Sequence, residues 1–480
     1  MTDISHGSDA GGSATGGARR VPGSFRDPTS RVFLTDELVL RALDDRGAAD
    51  YAAVEAAPFF AEALAVGDIV ATERFDDAAS VGLDAATVVL RHERLAVTTY
   101  PYEWSFDMLR DAALLQLRLT RAALADGCLT KDASAYNVQF DGVRPVFIDV
   151  GSFEPYRAGE PWFGYRQFCQ HFLNPLILQS VRGVAFQPWL RGSLEGVAPL
   201  DVLRLLRSWD WLRRRGLFAH VVLHARAEGR YADGRRDVRG EMRAAGLGPK
   251  VLDAQLRNLE RTIGRLRWKP VGSTWSSYSG RSHYSDEALA AKERFVESVA
   301  ADRRRGLVLD LGANDGRFSR LVADHAERVV AADVDHLVVD RLYRSLRDEG
   351  ETRITPVVAD LADPSPSLGW RHRERPSFVE RMRPDLVLCL ALVHHLAITN
   401  TVPLDEIAEL LVDLGSEVVV EVPHVDDPMT QRLLATKRAE LFNAYGIEAW
   451  EAAIAGRFDV AAREELPGGS RTIYHLTPRV

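Results

Sequence analysis

The stretch LVLDLGANDGRFSRL, beginning at Leu307, constrains the fold of this chain more than any other. A short aliphatic run enters a turn bracketed by Gly312 and Gly316, and a helix-like pattern follows. The run Leu307–Leu311 has the make-up of a strand buried on both faces of a parallel sheet. Glycine lets backbone approach a ligand with no Cβ in the way. The spacing is D-x-G-x-N-x-G, not the G-x-G-x-x-G of dinucleotide enzymes, and Asp310 before the first glycine would repel a diphosphate. A cationic cofactor suits the turn better.

The same rhythm continues downstream. Arg328 to Val334 predicts a second strand ending at Asp333, whose carboxylate is placed to grip two ribose hydroxyls, with Asp335 as the alternative. Ile354 to Leu361 predicts a third, with Asp360 at its carboxyl end able to accept from an adenine amino group. Asp385 to Leu392 predicts a fourth, running into His394 and His395, and Glu417 to Val422 a fifth. Helical patterns such as VPLDEIAELLVDL, from Val402, separate most of them. Alternating strands and helices imply an α/β, doubly wound parallel sheet that binds ligands at the carboxyl ends of its strands. The closing segments from Phe458 and Arg471 flank Pro467-Gly468-Gly469-Ser470, a hairpin signal.

On these residues the chain from Leu307 to its end resembles a class I S-adenosylmethionine-dependent methyltransferase. The resemblance implies a Rossmann-like sheet with a closing antiparallel hairpin, and S-adenosylmethionine as cofactor. It assigns Asp310, Gly312 and Gly316 to the methionine end and turn, Asp333 to the ribose, and Asp360 with Leu361 to the adenine. Asn314 stands where many members have a middle glycine, and asparagine tolerates left-handed backbone better than most residues.

Methyl transfer requires an acceptor held in line and, for a hydroxyl or acidic carbon, removal of its proton. A histidine titrating near neutrality suits that role, which makes His394 and His395 the catalytic candidates; packing of the following turn is their other reading. GWRHRER, from Gly369, offers Trp370, Arg371, Arg373 and Arg375 either to an acceptor pocket or to a solvated loop. Glu421, Asp426 and Asp427 are weaker candidates. Upstream, Trp275, Tyr278 and Tyr284 precede a helical stretch, where they either cover a sulfonium by cation–π attraction or dock the lead-in on the sheet.

A chain of 480 residues exceeds a single core, so two domains are expected. The expected division is a disordered tail over 1–30, an N-terminal α+β domain over 31–266, a cofactor-covering lead-in over 267–306, and the methyltransferase domain over 307–480. A net charge of -8 disfavours general nucleic-acid binding and leaves a small-molecule acceptor as the expected partner. Cys128, Cys169 and Cys389 have no metal-ligand spacing and no disulfide framework, which fits a reducing cytoplasm. The Gly/Ser-rich start has no apolar core, and no long apolar run suggests a membrane span.

The N-terminal domain holds LTKDASAYNVQFDGVRPVFIDVGSFEPY, from Leu129. Asp132, Asn137 and Asp149 resemble the catalytic Asp, metal-binding Asn and metal-binding Asp of kinase-like folds. Thr130 and Lys131 depart from that pattern, no glycine-rich phosphate loop is visible, and Arg41 stands where a strand lysine is expected. Local capping by Asp132 and Asn137 is the other reading. The order of an aromatic-rich front domain, including PYEWSF from Pro101, before a methyltransferase resembles a bacterial family with members called nodulation proteins. Phosphotransfer in the front domain and cofactor binding without catalysis are the rival functions.

Overall fold

The aliphatic runs of the C-terminal half assemble into one seven-stranded sheet, ordered β12-β11-β10-β13-β14-β16-β15. Its members are β10 (Arg305–Leu311), β11 (Ala326–Asp333), β12 (Ile354–Val358), β13 (Leu386–Cys389), β14 (Glu417–Pro423), β15 (Phe458–Glu465) and β16 (Arg471–Pro478). The computed structural model describes residues 17–207, 248–269, 285–435, 437 and 445–479. Strands β10 to β14 pair in parallel, with Leu309 opposite Val330 and Val387, while β16 runs antiparallel to β14 and β15. Every predicted strand is present, and the Pro467–Ser470 turn closes the hairpin.

Side-chain alternation divides this sheet between two cores. Val308, Ala331, Leu388 and Val419 share one with Phe295 of helix Asp286–Ala300 and Leu346 of helix His336–Glu349. Leu309, Val330, Val387 and Val418 share the other with Ile407 of helix Leu404–Asp413 and Trp450 of helix Ile447–Ile454. Cover on both faces explains why these strands are near-continuous Val and Leu. The outer strand β15 is exposed along most of its length and carries Asp459, Arg463, Glu464 and Glu465, charges that blunt an edge.

The front domain opens with a five-stranded antiparallel sheet, ordered β1-β2-β3-β5-β4. These are β1 (Arg19–Arg20), β2 (Ser30–Leu34), β3 (Val39–Leu43), β4 (Thr72–Arg74) and β5 (Val88–His92). The expected tail to residue 30 is therefore too long, because Arg19 and Arg20 pair with Leu34 and Phe33. Helix Phe106–Ala125, capped by Ser105, is buried along most of its length and leads to β6 (Cys128–Thr130). The hairpin β7 (Val138–Asp141) and β8 (Arg144–Phe147) follows, then β9 (Phe153–Pro155), which pairs with β6.

The two domains meet along helices Phe106–Ala125 and His336–Glu349. Asp340 accepts from the Asp107 amide at 2.8 Å, and Asp111 takes the Tyr343 hydroxyl at 2.9 Å and Arg347 at 2.7 Å. The Gly369–Arg375 loop is not simply solvated. It straps the domains together: Glu374 pairs with Arg26 at 2.6 Å, and buried Arg375 lies 5.0 Å over the Tyr136 ring, while Trp370 is exposed.

Candidate active site at the glycine turn

Between β11 and β13, whose connections leave in opposite directions, β10 ends in the crevice where an open α/β sheet takes its ligand. The turn begins with Gly312 at φ +77° and passes Asn314 at φ +48°. A Cβ on Gly312 would make ordinary contact with the Leu392 side chain, at 3.6 Å, so its nearest neighbour is a side chain and what calls for glycine is the left-handed φ. Gly316 is needed for packing instead. A Cβ there would fall 2.6 Å from Leu342, so this glycine seats the following helix, Arg317–Ala323, against its neighbour. The turn is tied to β11 by the Gly312 amide on the Ala332 carbonyl at 2.8 Å.

Asp333, at the end of β11, completes that tie. Its carboxylate accepts the Asn314 amide at 3.0 Å and the Asp335 amide at 2.8 Å, which leaves each oxygen a further lone pair. Burial pushes its acidity toward weaker acid, while those two amides oppose the shift. Asp335 accepts the Leu337 amide at 2.9 Å as the cap of helix His336–Glu349. Asp360 follows β12 and is exposed, with one oxygen accepting the Ala362 amide at 2.9 Å; Leu361 beside it is half-buried.

Asp310 lies near the end of β10, just before the turn. It is buried beneath the turn, accepting the Ser319 hydroxyl at 2.6 Å, and burial pushes its pKa up to about 6. Its contact fastens β10 to the helix behind it.

His394 and His395 lie beyond β13, on the opposite side of β10 from Asp333 and Asp360. Their ring centroids are 4.1 Å apart. The expected near-neutral titration is not found. Burial holds His394 well below its ordinary pKa, reinforced by His395, Arg471 and Lys292; burial and Arg471 hold His395 at about 4. Both rings are uncharged at neutral pH, and neither nitrogen of fully buried His394 has a hydrogen-bond partner among the described residues. Ala391, between β13 and this pair, has φ +53°, and His395 opens a turn of π-helix. Such features recur where a backbone is shaped for a ligand.

Under the crevice lies a buried charge network that sequence reading largely missed. Lys292 donates to Glu421 at 2.6 Å; Arg471 bridges Glu421 at 3.2 Å and Asp427 at 2.8 Å. Two cations balance two anions, the condition on which buried charge is tolerated. Glu421 and Asp427 were weak candidates for the site; Lys292 and Arg471 gave no signal, because one sits in a helical pattern and the other in a hairpin. Trp275, Tyr278 and Tyr284 lie outside the described residues.

Beyond the ends of β11 and β12 is a cavity of about 560 Å³. One wall carries Val334, Asp360 and Phe378; the other is made by Tyr102, Gln187 and Arg191 of the front domain. This second wall was not anticipated either, since nothing local in PYEWSF or in the short helix Gln187–Gly192 marks a ligand site.

In the front domain, Asp132, Asn137 and Asp149 do come together. Burial, and Asp149 after it, pushes Asp132 up to about 6. Arg41 of β3 pairs with Asp149 at 2.7 Å and donates to Ser30 at 2.9 Å. The space beside Lys131 and Gly151 is about 10 Å³, room for one water.

The sheet order, the closing hairpin and the glycine turn tied to a strand-end aspartate are those of a class I S-adenosylmethionine-dependent methyltransferase fold. No family model matches the sequence. The chain belongs to the family of the nodulation protein NoeA of Rhizobium meliloti (strain 1021), being 35% identical to it over 463 residues, 95% of each chain. Among solved structures, the N-methyltransferase NodS of Bradyrhizobium japonicum WM9 with S-adenosyl-L-homocysteine is similar over 44% of this chain and 100% of its own, at 14% identity and a TM-score of 0.32. The magnesium protoporphyrin IX methyltransferase of Synechocystis PCC 6803 is similar over 42% of this chain and 92% of its own, at 18% identity and a TM-score of 0.29. At these scores they add nothing to the topology already described.

Proposed function

We propose that this chain transfers a methyl group from S-adenosylmethionine to a small-molecule acceptor. One observation carries the reading: the glycine turn that starts at Gly312, fastened through the Asn314 amide to Asp333 at the switch point of the parallel sheet. When bound, the cofactor supplies an electrophilic methyl on a sulfonium. The residues of the chain would then divide the work. Asp333 offers lone pairs to the ribose hydroxyls, Asp360 and Leu361 flank the adenine, and the turn from Gly312 through Asn314 to Gly316 holds backbone against the methionine end. Asp310 anchors that turn from beneath.

On the acceptor side, His394 and His395 serve best as uncharged hydrogen-bonding groups that orient an acceptor, because their surroundings oppose protonation. A net charge of -8 favours a small acceptor over a polyanion. The phosphotransfer alternative fares poorly on physical grounds, since Arg41 already takes the Asp149 carboxylate.

Calorimetric titration of the full chain with S-adenosylhomocysteine tests the reading. Micromolar binding, lost in Gly312→Val, is expected; absence of binding by the unaltered protein would sink it. Labelled methyl appearing in pooled small-molecule acceptors would then separate an enzyme from a silent cofactor binder.

A further inference from the structure

We propose, independently of the methyltransferase reading, that the tip of the Gly369–Arg375 strap docks on an anionic lipid surface. Trp370 enters the headgroup layer, and Arg371 and Arg373 take lipid phosphates.

The strap is strained and braced. Arg371 and His372 are consecutive residues in the left-handed region, at φ +56° and +55°. Side chains with a Cβ are disfavoured there, and such a pair persists only where its surroundings enforce it. Here Leu368 and Arg375 exchange backbone hydrogen bonds at 2.9 and 3.1 Å. The Glu374 carboxylate accepts the Trp370 amide at 2.8 Å, and Arg26 of the front domain holds the same carboxylate at 2.6 Å. A rigid base thus presents consecutive exposed residues from Trp370 to Arg373.

That tip carries unspent groups. Trp370 is 66% exposed, and among the described tryptophans it alone is exposed. Among the described residues the side chains of Arg371 and Arg373 have neither an ion pair nor a hydrogen bond. The neighbouring carboxylates are already taken: Glu374 as above, and Glu380 by the Ser367 hydroxyl at 2.6 Å and the Ser377 amide at 2.7 Å. Front-domain arginines extend the basic face. The Arg26 side chain is 54% exposed, and the turn that follows exposed Arg20 abuts the strap, since a Cβ on Gly23 would fall 2.6 Å from the Glu374 carbonyl oxygen.

A lipid surface fits this tip better than a macromolecule does. A stable protein interface takes about 20–30 residues from each side, and single-stranded nucleic acid stacks successive bases on several aromatic rings. Tryptophan alone favours the headgroup level of a bilayer, and arginines beside it add attraction to anionic lipids. At cellular salt the net charge of -8 is screened beyond about 8 Å, so contact is decided by the residues at the tip.

Co-sedimentation of the full chain with vesicles tests this. Vesicles of equal parts phosphatidylglycerol and phosphatidylcholine should bind the protein at low salt, and vesicles of phosphatidylcholine alone should not. Trp370→Ala should lower the partition coefficient by about tenfold. Arg371→Gln combined with Arg373→Gln should lower it by about thirtyfold, about fivefold for each charge. All these positions are exposed, and circular dichroism checks that each variant folds. Absence of binding to the mixed vesicles overturns the proposal. So does binding that every variant retains, which would place the contact elsewhere, or equal binding to both kinds of vesicle. Binding to a single-stranded oligonucleotide but to neither kind of vesicle overturns it in favour of a nucleic-acid contact.

Discussion

Two regions of this molecule gather carboxylates around a turn, and they differ in what surrounds the carboxylates. In the front domain, Arg41 pairs with Asp149 at 2.7 Å and takes up that carboxylate. At the end of β11, Asp333 accepts backbone amides and keeps lone-pair capacity beside the glycine turn, and a cavity of about 560 Å³ is lined by the next residue, Val334. Acidic residues in a suggestive order therefore do not make a site. Space and unspent hydrogen-bonding capacity do.

The contrast can be broken in several ways. Removing Glu421 from the buried network strands Lys292 and Arg471, so Glu421→Ala should cost about 3–5 kcal/mol in urea unfolding; a loss below about 1 kcal/mol would mean that the network is solvated. Gly312→Val places a branched side chain at φ +77° and toward the crevice. S-adenosylhomocysteine affinity should fall by more than about a hundredfold, near 3 kcal/mol, and retained binding would move the cofactor elsewhere. Asp333→Ala should cost about 1.5–3 kcal/mol of that affinity; no change transfers the ribose role to Asp335. Asp149→Asn should leave S-adenosylhomocysteine binding untouched, and ATP with magnesium should give no heat with either protein. Heat that Asp149→Asn removes would revive the front site.

The smallest effect is a slope. His395 is neutral in the fold, with a pKa held down to about 4, but takes a proton near 6.5 once unfolded. Its stabilising contribution is present above pH 6.5 and is lost as pH falls toward 4. His395→Gln should remove about 1 kcal/mol of the decline between pH 6.5 and 5.5. An unchanged slope would mean that the ring is already protonated in the fold.

Much of the fold was legible because the β-strands of the C-terminal half are written as aliphatic runs with turn glycines after them. Asp333 and Asp360 could be found because they follow such runs directly. His394 and His395 were found as residues but not as chemistry, since their low basicity comes from burial and from Lys292 and Arg471, which are remote in sequence. The burial of Asp310 was not legible for a related reason: strand alternation sets which way its carboxylate points, and its partner Ser319 sits nine positions on. Tyr102, Gln187 and Arg191 were invisible because only the docking of one domain on the other makes them the wall of a cavity.

That docking has a consequence for how the chain behaves as a unit of inheritance. Phe106, Leu109 and Phe140 of the front domain belong to the same continuous apolar cluster as Tyr343, Leu346 and Val308 beyond it. Melting should thus be one cooperative transition, with neither half surviving the other. A recombination event that exchanged either half for a foreign one would expose a cut core. The two halves are bound to diverge together, as one gene product and not as interchangeable modules.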